Sequence, residues 1–518
     1  MAYLLGIDLA TNGVTALLLD PGKSVVGRAF AGYPTQQPRP GWVEQAPEQW
    51  WLAAKDAIRR LLIEAEVSGH DVSAIGLSGQ MHGTVLVDER GRPVRPAIIW
   101  SDRRGEEQIA WMLGQADARE WVTWTGARPL IGMSGPRLLW VKQEEPDVFA
   151  RAHKVLAPKD YLRLCLTGEF ATDVTDASST LLFDVPARVW SRESRALMGI
   201  SSDLLPECYE SQAISGSVSL EVAEETGLKA GTPVVAGAGN QAAAAMGLGV
   251  VRTNEVAAIL GSGGVIIASI DEPLIDKDLR LQTFCHARRT KWYMVGMTQT
   301  AGMAFRWMRD PFCNAEKEAA RSIWDDAYNL MTRQAEELPI GSNGLLFLPY
   351  LNGERTPYMD PTARGVFFGI TAQHEKRHFI RAVMEGVTFS MRDCLEVVKQ
   401  TGVSVDRVVV AGGGLNNPVW RHIFADALGV DLVQTNVVDP APFGAALMAS
   451  VAAGMYSSVE QACEEIVQVT EFTEPNPENV ARYNELYEIY RGLYPALCPA
   501  YGQMATFLEG QAEVALPR

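Results

Sequence analysis

Short apolar runs alternate with longer stretches of helical spacing along most of the chain. Tyr3 to Leu9 has a strand pattern, with Asp8 near its end. Ala10-Thr11-Asn12-Gly13 makes a tight turn. Val14 to Leu19 is a second apolar run, closed by Asp20-Pro21-Gly22. Two such runs around a small polar turn predict a β-hairpin. Val25 to Gly32 predicts a third strand, and the proline-rich stretch 34–47 a loop. Glu48 to Val67 carries Trp51, Ala54, Ile58, Leu61 and Leu62 on one side, which predicts a helix. Val72 to Leu77 predicts a strand running into Ser78-Gly79-Gln80-Met81-His82-Gly83, and Thr84 to Val87 resumes a strand. From Arg104 to about Glu169 the spacing is mainly helical, broken near Pro129, Pro136 and Pro146.

The second half repeats this grammar. Lys291 to Met297 predicts a strand, and Thr300 to Met308 and Glu316 to Glu337 predict helices. Gly344 to Leu348 is a strand pattern, and Phe379 to Lys399 a long helix with Val383, Val387, Met391 and Leu395 at buried spacing. Val408 to Val410 runs into Ala411-Gly412-Gly413-Gly414, and the next helix starts at Asn417 or Pro418. Leu432 to Gln434 is a strand, Pro442 to Ala453 a small-residue helix, and Asn479 to Tyr494 a last helix before a loose end. Alternating strands and helices indicate an α/β sheet sandwich.

One repeat organises the rest. Ile259 to Asp271 (ILGSGGVIIASID) aligns with the first hairpin, Asp8 to Asp20 (DLATNGVTALLLD). Each has a small-residue turn with a hydroxyl, a Gly-Val pair, an apolar strand, and Asp six residues after the Val. Two such hairpins, half a chain apart, suggest a duplicated α/β domain with a cleft between the copies. Val234-Val235-Ala236-Gly237-Ala238-Gly239-Asn240 then runs a strand through a Gly-x-Gly turn into an alanine-rich helix. Asn240 suits a helix N-cap. A strand end, two glycines and a helix start also make a ligand-facing cleft floor.

Composition narrows the class. The 518 residues suggest about three domains, or two large ones. A net charge of −16 argues against nonspecific nucleic-acid binding, which rests on Lys and Arg neutralising phosphates. The seven cysteines are scattered, without C-x-x-C, and read as reduced thiols of a cytoplasmic protein. No apolar run reaches the roughly 18–20 residues of a membrane span. The N-terminus lacks a signal peptide's basic region and cleavage site.

Three glycine-rich turns follow strands, at Ala10 to Gly13, Gly261 to Gly264 and Gly412 to Gly414. Glycine lets backbone N–H groups approach phosphate, so together they point to a nucleotide held between two domains. None is a P-loop. Asp8, at a strand end beside the first turn, can hold Mg²⁺. His374-Glu375-Lys376-Arg377-His378 matches H-E-x-x-H, but its charged interior suits an exposed first turn of a helix and not a zinc site.

These segments resemble the FGGY-type carbohydrate kinases, and within them the xylulokinases. The first hairpin resembles the family's Asp-x-Gly-Thr-Ser phosphate motif. Ser78 to Gly83 resembles the xylulokinase substrate loop, and Pro96 to Arg104 the segment that follows it. Gly132 to Glu144 is similar to the first family signature, with Arg137 where Lys is usual. Gly365-x-Phe367-x-Gly369-Ile370 with His378 to Glu385 is similar to the second. Pro158 to Leu162, Gly353 to Pro357 and Gly412 to Gly414 also resemble family segments.

The resemblance implies an α/β fold of two actin-like ATPase (ribonuclease-H-like) domains with an interdomain cleft. Residues 1–250 would hold sugar, and 251–518 would hold ATP and end in a helical tail. It implies transfer of the ATP γ-phosphate to a ketopentose, D-xylulose foremost, with ribulose or glycerol as alternatives. Met81, His82, Asn240 and Gln241 would contact the sugar. Asp8 and Thr11 would face Mg²⁺ and the phosphates, with Asn12 and Gly13. Gly261, Ser262 and Gly263 would form the second phosphate turn, and Gly412, Gly413 and Asn417 would lie near the adenosine. Dimers are common in the family.

Five further positions depart from the pattern. Asn240 stands where the family carries its catalytic Asp, and an amide has no useful basicity. Ala10 replaces the usual Gly, and a positive φ there would not suit it. Thr15 replaces a common Lys, and Ser262-Gly263 a common Thr-Ser. Two readings stay open: a kinase, or a sugar-binding protein on a kinase scaffold with little turnover.

Overall fold

The computed structural model describes residues 2–22 and 24–515. They form two compact units. The first holds Met1–Thr253, Ser269–Met294 and Asn436–Gln468, the second Asn254–Ala268, Val295–Thr435 and Val469–Arg518.

In the first unit the predicted hairpin forms from β1 (Tyr3–Ala10) and β2 (Gly13–Asp20), with β3 (Ser24–Gly32) beside it. Then come β4 (Val72–Gly79), β5 (Ile214–Ser217), β6 (Pro233–Val235) and β7 (Ala238–Gly239). The sheet runs β3-β2-β1-β4-β6-β5, with β7 also paired to β4. Strand side chains alternate between faces. Leu5, Ile7 and Leu9 of β1 and Ile75 and Leu77 of β4 pack with Trp50, Ala54, Ile58 and Leu61 of helix Pro47–Glu64. The other face receives helix Pro440–Ala452, which rests on glycine backbone. A Cβ on Gly76 would stand 2.5 Å from the Ala445 carbonyl carbon, and one on Gly6 3.0 Å from the Ala446 nitrogen. Helix Asn240–Gly247 meets the same helix through Gly247 and Gly444.

The second unit carries the second hairpin, β8 (Val256–Leu260) and β9 (Gly264–Ile270), antiparallel as the repeat predicts. With β10 (Trp292–Thr298), β11 (Arg407–Ala411), β12 (Asp431–Thr435) and β13 (Val469–Thr473) the order is β10-β9-β8-β11-β12-β13. β8 pairs parallel with β11, β11 parallel with β12, and β12 antiparallel with β13. The first sheet has the same sequence of senses: β1 parallel to β4, β4 parallel to β6, β6 antiparallel to β5. The duplicated α/β plan read from the two hairpins is therefore present in six matching strands of each seven-stranded sheet.

Several expected elements differ. The stretch 34–47 contains a two-residue strand, Glu44–Gln45, paired with Ala97–Ile98. The single helix expected over 316–337 is two, Asn314–Ile323 and Ala327–Glu336. Trp324 turns left-handed at φ 57°, and Asp326 caps the second helix through the Tyr328 N–H. The last helix runs Pro477–Ala515, through Pro495 and Pro499. His378 does not form a metal site with His374. Its Nδ1 accepts from the Glu375 N–H at 3.0 Å, and its Nε2 lies 3.1 Å from Asn343 Nδ2.

Candidate active site

In the first unit, three parallel strands end side by side. Asp8 of β1 is level with Ser78 of β4, and Ser78 with Ala238 of β7. One rung further lie Leu9, Gly79 and Gly239, and the chain then leaves the sheet at Ala10, Gln80 and Asn240. The carboxyl ends of parallel strands are where open α/β sheets bind ligands.

Asp8 is 7% exposed, and Ser78 Oγ donates to its Oδ1 at 2.8 Å. Burial raises its pKa to about 6, against the Ser78 hydrogen bond and with a further push from the Asp439 carboxylate. No hydrogen bond occupies its Oδ2 among the described residues. The turn beside it is held from behind. Gln45 Nε2 donates to the Thr11 carbonyl (2.8 Å) and to Thr35 Oγ1 (2.7 Å), while Trp50 Nε1 and Gln80 Nε2 both donate to Gln45 Oε1 at 3.0 Å. The Thr11 hydroxyl accepts from Trp100 Nε1 at 2.9 Å. Asn12 is exposed, and Gly13 is buried where a Cβ would meet the Ala31 oxygen at 2.6 Å. Ala10 ends β1 outside the left-handed region, so the alanine carries no backbone strain.

Beyond β4, Met81 is buried with its sulfur 4.0 Å from Tyr293 Oη. His82 is left-handed at φ 66°, its Nδ1 3.2 Å from the Ser179 carbonyl oxygen and its ring beside Phe284. Asn240 is not the helix cap. Gly239 occupies that position, and Asn240 is the first helical residue, half-buried like Gln241. The Gly239 N–H is spent on Thr175 Oγ1 at 2.8 Å. Beneath this rung lies a buried ion cluster absent from the sequence reading. Lys159 Nζ stands 2.6 Å from Asp160, 2.8 Å from Asp173 and 3.1 Å from Asp176. Arg163 also pairs with Asp160, at 2.8 Å. The Lys159 ammonium already fills the space among these carboxylates, so the cluster is an ion network and not a cation site.

The second unit holds four of the other predicted residues around a cavity of about 460 Å³, which Gly263 and Gly412 do not line. Gly261, Ser262, Gly413 and Asn417 line it together with Gly302, Arg306, Tyr328, Asn329 and Thr332. The Gly261–Gly263 turn leans on the next helix, Gly302–Phe312. Gly302 N–H donates to the Gly261 carbonyl and Ala301 N–H to the Ser262 carbonyl, both at 2.9 Å. Arg306 Nη2 donates to Ser262 Oγ at 3.1 Å. Gly412 sits at φ 102° with its Cα packed under Leu260, a place only glycine fills. Asn417 caps helix Pro418–Leu428 through Oδ1 and donates from Nδ2 to Thr332 Oγ1 at 2.9 Å. Gly302 and Arg306, four apart at the start of a helix that follows a strand, were legible from that spacing; Thr332, from a distant helix, was not.

Comparison with known proteins agrees with this plan. Residues 3–247 match the model of the N-terminal domain of the FGGY family of carbohydrate kinases, and residues 256–453 that of its C-terminal domain. The xylulose kinase of Escherichia coli (strain K12) is 36% identical, over 96% of this chain and 99% of its own. That of Bacillus subtilis (strain 168) is 34% identical over 95% and 97%. A crystal structure of a xyloylose kinase from Brucella ovis superposes with TM-score 0.87 at 34% identity, covering 96% of this chain and all of its own. With both family domains matched in order along nearly its whole length, the chain belongs to the FGGY family of carbohydrate kinases.

Proposed function

We propose that the protein transfers the γ-phosphate of ATP to the terminal hydroxyl of a ketopentose, D-xylulose, giving D-xylulose 5-phosphate. The observation that carries this reading is the loop Gln80-Met81-His82 at the strand ends. It sits on β4, one strand from Asp8 and one from β7, which delivers Asn240. Relatives that are xylulose kinases, at 34–36% identity, support it. Met81, His82, Asn240 and Gln241 hold the sugar. The glycine turn at Gly261–Gly263, with Arg306, and the turn at Gly412–Gly413 hold the triphosphate. Asn417 borders the nucleoside.

Asp8 fits a divalent cation: it is a hard oxygen donor with one free oxygen, desolvated and under the field of Asp439, so a bound cation would restore its ionised form. Mg²⁺ held there would neutralise charge on the transferring phosphoryl group. Asp8 and Thr11 position that end of the nucleotide.

A second reading rests on Asn240. Without the family's carboxylate at this position, the same site binds sugar and turns it over little. A coupled ADP-release assay over a ketose panel separates the two. Turnover of D-xylulose above the other ketoses supports the kinase. Sugar binding by calorimetry without ADP release, in the chain and in Asn240→Asp, supports the binding protein.

A further inference from the structure

The Lys159 cluster contains one carboxylate without a settled partner. Asp160 is shared by Lys159 and Arg163. Asp173 accepts from the Thr175 N–H (2.8 Å), Thr175 Oγ1 (2.7 Å) and Ser211 Oγ (2.8 Å), besides Lys159. Asp176 is 1% exposed, and neither of its oxygens accepts a well-formed hydrogen bond, although Lys159 Nζ lies 3.1 Å from Oδ2. Three buried carboxylates thus face two cations, and the surplus falls on Asp176.

Its Oδ1 points at the rung that leads into Asn240. A Cβ on Gly239 would stand 3.1 Å from Asp176 Oδ1, hydrogen-bonding distance for an oxygen in that place. The side chain over this gap is Met81, whose Cγ would be 2.6 Å and Sδ 3.1 Å from the same Cβ. Methionine is unbranched and adapts readily. Met81 also belongs to the loop assigned to the sugar. A ligand that moves Met81 aside therefore meets an ionisable carboxylate beside Gly239, the residue before Asn240.

We propose that Asp176, uncovered by a shift of Met81, is the catalytic residue that accepts the proton of the attacking sugar hydroxyl, in place of the carboxylate missing at Asn240. This rests on the kinase reading above. As the sugar oxygen bonds to the γ-phosphorus, its proton passes to the Asp176 carboxylate. The bond from the γ-phosphorus to the β-bridging oxygen breaks, and ADP leaves with that electron pair. The proton then goes to solvent. Burial, with the carboxylates of Asp173 and Asp160 and against Lys159, pushes Asp176 up to about 8. Of the other ionisable groups, Tyr293 faces Asp176, while Arg163 is paired with Asp160. A base of this strength suits a neutral to alkaline optimum.

The test compares the unmodified chain with Asp176→Asn, Asn240→Asp and the double variant, using D-xylulose, ATP and Mg²⁺. Asp176→Asn is isosteric and leaves Lys159 paired with Asp160 and Asp173; its thermal midpoint checks folding. The expected result is a fall in kcat of about 10²-fold or more, with KM within about threefold, and recovery when Asn240→Asp is added. A pH profile of the unmodified chain gives a second readout that needs no variant at 176. Its kcat rises through about pH 8, and Asn240→Asp moves the rise to lower pH. If the parent turns over and Asp176→Asn keeps its kcat, this proposal fails and the kinase reading stands. The same holds if the parent is idle and Asn240→Asp alone is active. If neither parent nor Asn240→Asp turns over any sugar, the kinase reading falls and takes this proposal with it.

Discussion

Replacing Gly76 by alanine tests whether backbone contact at the glycines fixes the strand ends. Gly76 lies two residues before Ser78, on the β4 face that receives helix Pro440–Ala452. The added methyl would stand 2.5 Å from the Ala445 carbonyl carbon and 3.2 Å from its Cα. These are backbone atoms of a helix interior, so no rotamer relieves the overlap. The Ala445 carbonyl oxygen is nearer still, so the helix or the strand must retreat by roughly 1.5 Å to restore ordinary contact, and a gap of that size forfeits about half or more of the dispersion energy of each contact it opens. Overpacking a tight core costs about 1–3 kcal/mol. With a rigid partner the upper end is expected, about 3 kcal/mol. At about 2–4 °C per kcal/mol for a large domain, the first unit's transition should fall by roughly 6–12 °C in differential scanning calorimetry. Gly114→Ala is the control, because it lies in a helix with nothing within 4 Å of the new methyl. It should be neutral or stabilising by up to about 1 kcal/mol. A Gly76→Ala transition within about 1 °C of the parent would refute the reasoning.

Two further substitutions probe the second unit. Arg306→Ala removes the guanidinium that bonds Ser262 in the cavity. A hydrogen bond to a charged group is worth about 1.5–3 kcal/mol, so ADP affinity by titration calorimetry should weaken about 10–100-fold, with sugar KM unchanged; a change under twofold contradicts the assignment. Asp393 is buried under Tyr487, whose hydroxyl donates to it at 2.6 Å, and burial raises its pKa to about 7, above the ordinary 3.8. A raised carboxyl binds more protons folded than unfolded. Its stabilisation is therefore complete below about pH 4 and lost as pH rises through about 7, on the order of 4 kcal/mol. Asp393→Asn should flatten the fall of thermal midpoint between about pH 4 and 7; identical slopes would sink the idea.

The chain announced its plan through the two hairpins, because apolar alternation and small-residue turns are local and are written in consecutive residues. The strand order that confirms the duplication is the same in both sheets, and Asp8, Gly412 and Asn417 stand at the strand ends or helix start their patterns implied. Local pattern failed where distant groups decide. Asn240 read as a cap, yet the cap position falls to Gly239, whose N–H is drawn to Thr175 by a helix 64 residues earlier. The run 316–337 kept helical spacing while Trp324 broke it, and nothing in the spacing marks a left-handed tryptophan. Lys159 and its three aspartates come from helix Pro158–Thr167, a short strand and the next helix. Only the fold brings them under Gly239.

The glycine face of β1 and β4 has a consequence for synthesis. Its covering helix begins at Pro440, more than 400 residues after Gly6. Contacts that distant in sequence close late, since the loop entropy must be met before they form. The first sheet therefore leaves the ribosome with one face bare until the last quarter of the chain emerges. During that interval Leu4, Gly6 and Ala74 lack their partner, and nascent chains are exposed to aggregation at this point. A gene fragment ending at Thr253 would inherit that bare face for good.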